Sequence, residues 1–280
     1  MIFLIFAIIS SAAMSLALKF FRDQRGNRFG ILFGNYVMCV VIAFLTLPEK
    51  SLVFTGEKFT FLFGILTGAF FMLGLYMMQT CAAVNGAILT ATFSKLGLLV
   101  PLMISIVFFR ERPGMLQYIG ILLVIGSFFL IQPQTERGSG AKPLILLLTL
   151  LAVGCSDSGA RIFEHYGSRS DDRLYYFFVF AAACLICLCL AHIEKKRTGK
   201  KMLLPELAAG LILGVANYYS SYLLLAALTV LPGYLVYTVF SVGTIILVTL
   251  ISVPAFREKL SARQTAGLAV ILTALVLLNI

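Results

Sequence analysis

Residues 109–120 read Phe-Arg-Glu-Arg-Pro-Gly-Met-Leu-Gln-Tyr-Ile-Gly, and residues 256–267 read Phe-Arg-Glu-Lys-Leu-Ser-Ala-Arg-Gln-Thr-Ala-Gly. The two stretches agree in the Phe-Arg-Glu start, in the basic residue that follows, and in a glutamine and a glycine further on. The same offset carries Phe93-Ser94 onto Phe240-Ser241. Matches that keep their order and spacing indicate an internal repeat, with one copy in each half of the chain.

The composition predicts that the chain is surrounded by lipid. Hydrophobic residues make up 60% of its 280 residues and charged residues 12%, whereas soluble domains average about 45–50% and about 25%. Several apolar runs approach the roughly 20 residues that a membrane-spanning helix needs. The predicted spans are residues 2–20, 30–47, 59–80, 86–109, 115–132, 143–163, 174–192, 204–228, 233–253 and 263–279.

The repeat and the spans together predict the architecture. Residues 1–135 form the first repeat and residues 143–280 the second, and each contains five spans. Because five is odd, the two repeats lie in opposite orientations in the membrane. We therefore predict an all-α integral membrane protein whose ten transmembrane helices form two inverted-topology five-helix repeats, a design that recurs in transporters.

These residues carry a resemblance to a known family. A ten-helix chain with a charged Phe-Arg-Glu turn in each half, followed by glutamine and glycine on the next helix, resembles the EamA branch of the drug/metabolite transporter superfamily. The resemblance extends over essentially the whole chain. It implies alternating access and a central cavity lined mainly by helices one, three, four, six, eight and nine. It does not imply a particular substrate.

Lys95 is the main candidate for contact with a substrate. It lies near the middle of the fourth predicted span, ahead of Pro101, where a charge costs about 2.5–3.5 kcal/mol on insertion scales. One interpretation is that Lys95 binds an anionic group of the substrate, and the other is that it pairs with an acid on another helix. Its position resembles that of a phosphate-contacting lysine in the phosphate-translocating and nucleotide-sugar branches. Its repeat counterpart, however, is the apolar Val242, so one lysine suits a monoanion such as a carboxylate better.

Asp157 is the candidate for a coupling or charge-partner role. It lies in the sixth predicted span, within Ser156-Asp157-Ser158. It could pair with Lys95 or carry a coupling proton, because burial favours the protonated form of a carboxyl group. It could also pair locally with Arg161, four residues further on.

Polar stripes on two other helices supply the remaining candidates. A polar stripe within a membrane faces either a cavity or another helix, because lipid offers no hydrogen bonds, and tyrosines add ring surface suited to an organic solute. Both interpretations stay open for each residue. The predicted substrate-binding residues besides Lys95 are Asn217, Tyr218 and Tyr222 on helix eight, Tyr237 and Ser241 on helix nine, and Tyr76 on helix three. Glu111 and Glu258, in the repeated turns, are instead expected to cap and fix helix hairpins.

The leading prediction is a secondary transporter of a small polar metabolite, such as an amino acid or organic acid, and export is favoured. An organophosphate or nucleotide-sugar exchanger is the alternative within transport, and a lipid-handling membrane scaffold is the alternative from another class. An enzyme is not expected, because no clustered acids or histidine-rich motif is present. We expect no cofactor or metal.

The predicted partners are the small-molecule substrate and the lipid bilayer, and the chain would act as a monomer or homodimer. The net charge of +10 is attributed to basic loops flanking the spans and not to nucleic acid. The predicted location is the cytoplasmic (inner) membrane. The distribution of Lys and Arg favours termini on the outside, whereas the resemblance implies termini inside. Ten spans place both termini on one side in either case.

Overall fold

The described part of the chain is helical, and no strand occurs within it. The computed structural model describes all residues except 21–26, 28, 50–56, 86–89, 91, 92, 95, 132–141, 257–261, 279 and 280. Its helices are α1 (Ile2–Phe20), α2 (Gly30–Thr46), α3 (Lys58–Asn85), α4 (Leu99–Met103), α5 (Met115–Ile131), α6 (Pro143–Tyr166), α7 (Asp172–Thr198), α8 (Leu204–Leu228), α9 (Gly233–Phe256) and α10 (Ala262–Leu278). A π-helical segment, Ile104–Phe108, follows α4, and a 3-10 turn, Arg169–Asp171, precedes α7.

The helices have the length and composition of a membrane protein. Among the described residues, five segments are long and apolar enough to cross a membrane: Lys58–Met78, Pro143–Tyr166, Arg169–Thr198, Leu204–Leu228 and Gly233–Ile251. Shorter apolar helices cover Ile2–Ala17, Gly30–Thr46, Leu99–Phe108, Met115–Ser127 and Thr265–Leu278. The all-helical class and the apolar character predicted from the sequence are therefore confirmed.

The chain folds into two compact units that each draw on both halves of the sequence. Unit 1 contains Met1 with residues 73–161 and 227–280, and unit 2 contains residues 2–72 and 162–226. The units group helices by contact and do not follow the predicted boundaries 1–135 and 143–280. The five-helix repeats stay a prediction.

In unit 2, glycines lie at the points where helices cross closely. A methyl group built on Gly210 of α8 would lie 2.8 Å from the amide nitrogen of Asn35 and 2.9 Å from the α-carbon of Gly34 on α2. On α3, a methyl group on Gly68 would lie 2.8 Å from the β-carbon of Ala182 on α7. Both crossings use glycines at the spacing that permits close approach of membrane helices.

Unit 1 is built around the pair α5 and α10, which pack along their lengths. A methyl group on Gly120 would lie 3.1 Å from the carbonyl oxygen of Ala274. The apolar core of this unit is formed by residues just before and within α4 and by residues of α5, α9 and α10: Leu96, Leu98, Leu102, Ile121, Val124, Tyr234, Val242, Ala274 and Leu278.

The fourth predicted span is interrupted. Gly97 and Leu98 form a turn before α4 begins, and α4 gives way to the π-helical segment after five residues. Pro101 contributes to the irregularity, because proline has no amide hydrogen to donate within a helix. Single-turn π segments occur frequently at functional sites.

Candidate functional site

Lys95 itself lies outside the described residues, whereas residues 93, 94, 96 and 97 on either side of it are described. Ser94 is buried, and among the described residues its hydroxyl has no hydrogen-bond partner. The amide of Gly97 donates to the carbonyl oxygens of Phe93 and Ser94, at 3.1 Å in each case. Phe93, Ser94 and Gly97, which flank Lys95, belong to unit 1.

The segment after Lys95 crosses α6 at a pair of glycines. A methyl group on Gly154 would lie 2.6 Å from the carbonyl oxygen of Gly97, and one on Gly97 would lie 3.1 Å from the amide nitrogen of Gly154. Only glycines allow two backbones to approach this closely. Asp157 follows Gly154 by about one helical turn, so the crossing brings its turn of α6 close to the segment that carries Lys95.

Helix α9 joins the same part of unit 1 through Tyr237. The buried Tyr237 hydroxyl donates to the backbone carbonyl of Asp157 at 2.9 Å. Ser241, about one turn further along α9, is half-buried. Tyr76 also belongs to unit 1 and is half-buried on α3, where its backbone carbonyl accepts a hydrogen bond from Thr80. The helices that carry Asp157 and Tyr237 thus meet next to the Lys95 segment.

The predicted residues of α8 lie in unit 2, where Tyr218 contacts α2. The buried Tyr218 shares a hydrogen bond of 2.9 Å with the Thr46 hydroxyl of α2, and its ring stacks on Tyr222 with centroids 6.0 Å apart. Asn217 is buried in the same stretch. The bond between Tyr218 and Thr46 joins two helices, and substrate binding by the α8 stripe stays a prediction.

Arg173 was not singled out from the sequence. It donates to the carbonyl oxygen of Thr46 at 2.6 Å, and its guanidinium carbon lies 6.0 Å from the centre of the Tyr222 ring. Its position in the first turn of α7 gives no local signal of this contact, because Thr46 is distant in sequence.

A buried ion pair forms a second polar cluster in unit 1. Arg161 Nη2 lies 2.6 Å from Glu111 Oε1, and the two side chains are 8% and 12% exposed. Glu111 was expected to cap and fix helix hairpins. It accepts hydrogen bonds from the amides of Gly233 and Tyr234, at the start of α9.

Unit 2 also contains an open apolar groove with a volume of about 680 Å³. It is lined by Phe6, Ile9, Ser10, Ala13, Met38, Leu211, Ile212, Val215, Ala216, Tyr219 and Leu223. Most of these residues come from α1 and α8. Among the described residues, no group of three or more His, Cys, Asp or Glu side chains could hold a metal ion.

Comparison with known proteins supports the fold and leaves the substrate open. No family model matches the sequence. A Haemophilus influenzae protein described as uncharacterized is 24% identical over 287 residues, an alignment that covers 97% of this chain and 95% of that protein. A solved crystal structure resembles this one with a TM-score of 0.78 at 15% identity, over 99% of this chain and 96% of the other. At this level of identity, the likeness shows a shared fold.

Proposed function

We propose that this chain is a secondary transporter of the cytoplasmic membrane that moves a small carboxylate-bearing metabolite by alternating access. Its ten helices cross the membrane as two inverted five-helix repeats, and its net direction is export. Lys95 binds the anionic group of the substrate, and Asp157 serves as its charge partner or carries a coupling proton. Tyr76, Tyr237 and Ser241 contact the rest of the solute from unit 1.

The observation that carries this proposal is that two helices, α6 and α9, meet next to the described residues that flank Lys95. The Gly97–Gly154 crossing joins these residues to α6, and the bond between Tyr237 and the carbonyl of Asp157 joins α6 to α9. Ionisable groups within membrane segments are costly and commonly mark substrate or ion pathways. In transporters built from inverted repeats, such sites lie near the middle of the bilayer on discontinuous helices, and the fourth span is discontinuous here.

The surroundings of the repeat counterpart of Lys95 favour a monoanion. Val242 is fully buried and belongs to the apolar core of unit 1. A second cation at that position would help to neutralise a doubly charged phosphate. Its absence favours a carboxylate over an organophosphate.

The test is a thermal-shift screen of the detergent-purified protein against amino acids, organic acids, nucleobases, sugar phosphates and cationic drugs. We expect a carboxylate compound to raise the midpoint of unfolding, because a ligand that binds only the folded state stabilises it. Lys95→Ala should abolish that shift. Lys58→Ala, which removes an exposed lysine at the start of α3, should retain it.

A compound identified in this way would then be tested for flux in proteoliposomes, with Lys95→Ala and Lys58→Ala in parallel. Stabilisation of the wild type and Lys95→Ala to the same extent would show that Lys95 is a structural partner and that the assigned site is wrong. Binding of the compound without flux would contradict the proposal that the protein is a transporter.

A lipid-handling scaffold is the second candidate, and the apolar groove of unit 2 favours it. Its volume of about 680 Å³ and its almost wholly apolar lining suit an acyl chain. If only phospholipids stabilise the protein in the screen, and Lys95→Ala does not alter that effect, this second function is supported instead.

A further inference from the structure

The carboxylate of Glu111 caps a helix from the other half of the sequence. Its Oε1 accepts from the amide of Gly233 at 2.7 Å, and its Oε2 accepts from the amide of Tyr234 at 3.0 Å. Helix α9 has no acidic residue in its own first turn, so Glu111 supplies the negative charge that favours a helix start. Arg110, just before it, has a left-handed backbone (φ 54°) that turns the loop.

Arg161 connects this cap to two further elements. From α6 it donates through Nη2 to Glu111 Oε1 at 2.6 Å and through Nε to the Ser105 hydroxyl at 3.1 Å. Its guanidinium carbon also lies 4.7 Å from the centre of the Phe109 ring. One side chain therefore contacts the cap, the π-helical segment and the loop that follows this segment.

The π-helical segment is tied to the same carboxylate residue by its backbone. The carbonyl of Ser105 accepts from the amide of Glu111 at 3.1 Å. A methyl group on Gly233 would lie 2.8 Å from Arg161 Nε and would collide with the Ser105 hydroxyl. The end of α6, the π-helical segment and the start of α9 are therefore drawn together around Glu111.

The energetics of this cluster suit a contact that opens and closes. A buried ion pair contributes little net stability, because desolvation offsets the attraction between the charges, and its best-attested use is to specify one arrangement among several. A π segment is also a local irregularity that often accompanies function. A core of apolar side chains would hold the three helix ends at least as firmly.

We propose that the Arg161–Glu111 pair is a latch that opens and closes one end of unit 1. With the latch closed, Arg161 holds α6 against the cap on α9 and against the π-helical segment. With it open, α6 at Arg161 can separate from the start of α9 and from the π-helical segment. The coupling of this opening to the substrate cycle rests on the proposed function, because the π-helical segment continues from Lys95, whereas the latch itself does not depend on it.

The experiment measures access to a buried position beside the latch, and it needs no substrate. Val236→Cys places a thiol in the first turn of α9, and Val124→Cys places one in α5; both valines are fully buried. Each is combined with Arg161→Gln, with Glu111→Gln or with the control Glu164→Gln, in a chain whose native cysteines are replaced. The rate of reaction with a membrane-impermeant maleimide is then compared.

We expect Arg161→Gln and Glu111→Gln to raise the labelling rate at position 236 on the order of tenfold, since a hydrogen bond to a charged group shifts an equilibrium by about that factor. The rate at position 124, and both rates in Glu164→Gln, should stay unchanged. Equal acceleration at positions 236 and 124 would mean general loosening and would overturn the latch. Unchanged labelling at position 236 would make the pair a static cap. If Glu111→Gln does not fold, Arg161→Gln decides the question, because it leaves the cap on α9 in place.

If flux later proves absent while labelling at position 236 responds, the transport proposal fails and the latch stands. If flux is present while labelling does not respond, the latch fails and the transport proposal stands.

Discussion

A tyrosine in a membrane helix can present its hydroxyl to a solute or to a neighbouring helix, and sequence does not distinguish the two. Tyr218 illustrates this, because it lies in a polar stripe while its hydroxyl bonds with Thr46, far away along the chain. The same limit applies to Glu111. Its charge and its repeat suggested a hairpin cap, but the amides it binds belong to α9. Residue types near the site were predictable, whereas their partners depend on tertiary contacts.

Tyr218→Phe tests the hydrogen bond to Thr46. We expect the variant to lose about 0.6 kcal/mol of stability, the average for such bonds between membrane helices. Chemical denaturation in mixed micelles would measure the change. Tyr219→Phe is the matched control, because Tyr219 is the next residue of α8 and is exposed. A loss of the same size in Tyr219→Phe would show that the Tyr218 bond is not its cause.

The bounds of most helices followed from hydropathy, because a membrane segment is apolar throughout. The predicted spans 2–20 and 204–228 agree with Ile2–Phe20 and Leu204–Leu228. The fourth span, 86–109, was predicted as one helix, yet a turn and a π-helical segment interrupt it within the described residues. An apolar composition is compatible with either arrangement, so hydropathy alone could not reveal the break.

Glycine substitutions test the crossing of α2 and α8. Gly210→Ala should lower the stability of the protein by about 1–3 kcal/mol, because the added methyl group meets the backbone of α2, and overpacking has this cost. Gly126→Ala on α5 is the matched control, since no atom of the described residues lies within 4 Å of its added methyl group. We expect it to be neutral or stabilising by up to about 1 kcal/mol, the difference in helix propensity between alanine and glycine. Thermal unfolding of both variants would measure this, and a midpoint for Gly210→Ala at or above that of Gly126→Ala would contradict the close crossing.

In the whole molecule, the predicted sequence repeats and the compact units group different sets of helices. The Phe-Arg-Glu pattern divides the chain near its middle, whereas contact divides it into units that each combine segments from both halves. A repeat records similarity along the chain, and a unit records which helices pack together. The grouping of α5 with α10 in unit 1 could not be read from the repeat, because it depends on contacts between the two halves.

The number of membrane crossings decides whether the two ends of the chain lie on the same side of the membrane. The five long and five shorter apolar helices, if each crosses the bilayer once, place Met1 and Ile280 on the same side. We expect single cysteines attached at the two ends of the chain, in a background without native cysteines, to react alike with an impermeant maleimide in sealed, uniformly oriented vesicles. The seven helices α1 to α7 precede the loop at residues 199 and 200. A cysteine in that loop is therefore expected on the side of the membrane opposite to the two termini. Protection of one terminus and labelling of the other would mean an odd number of crossings, and two five-helix repeats could not then account for the chain.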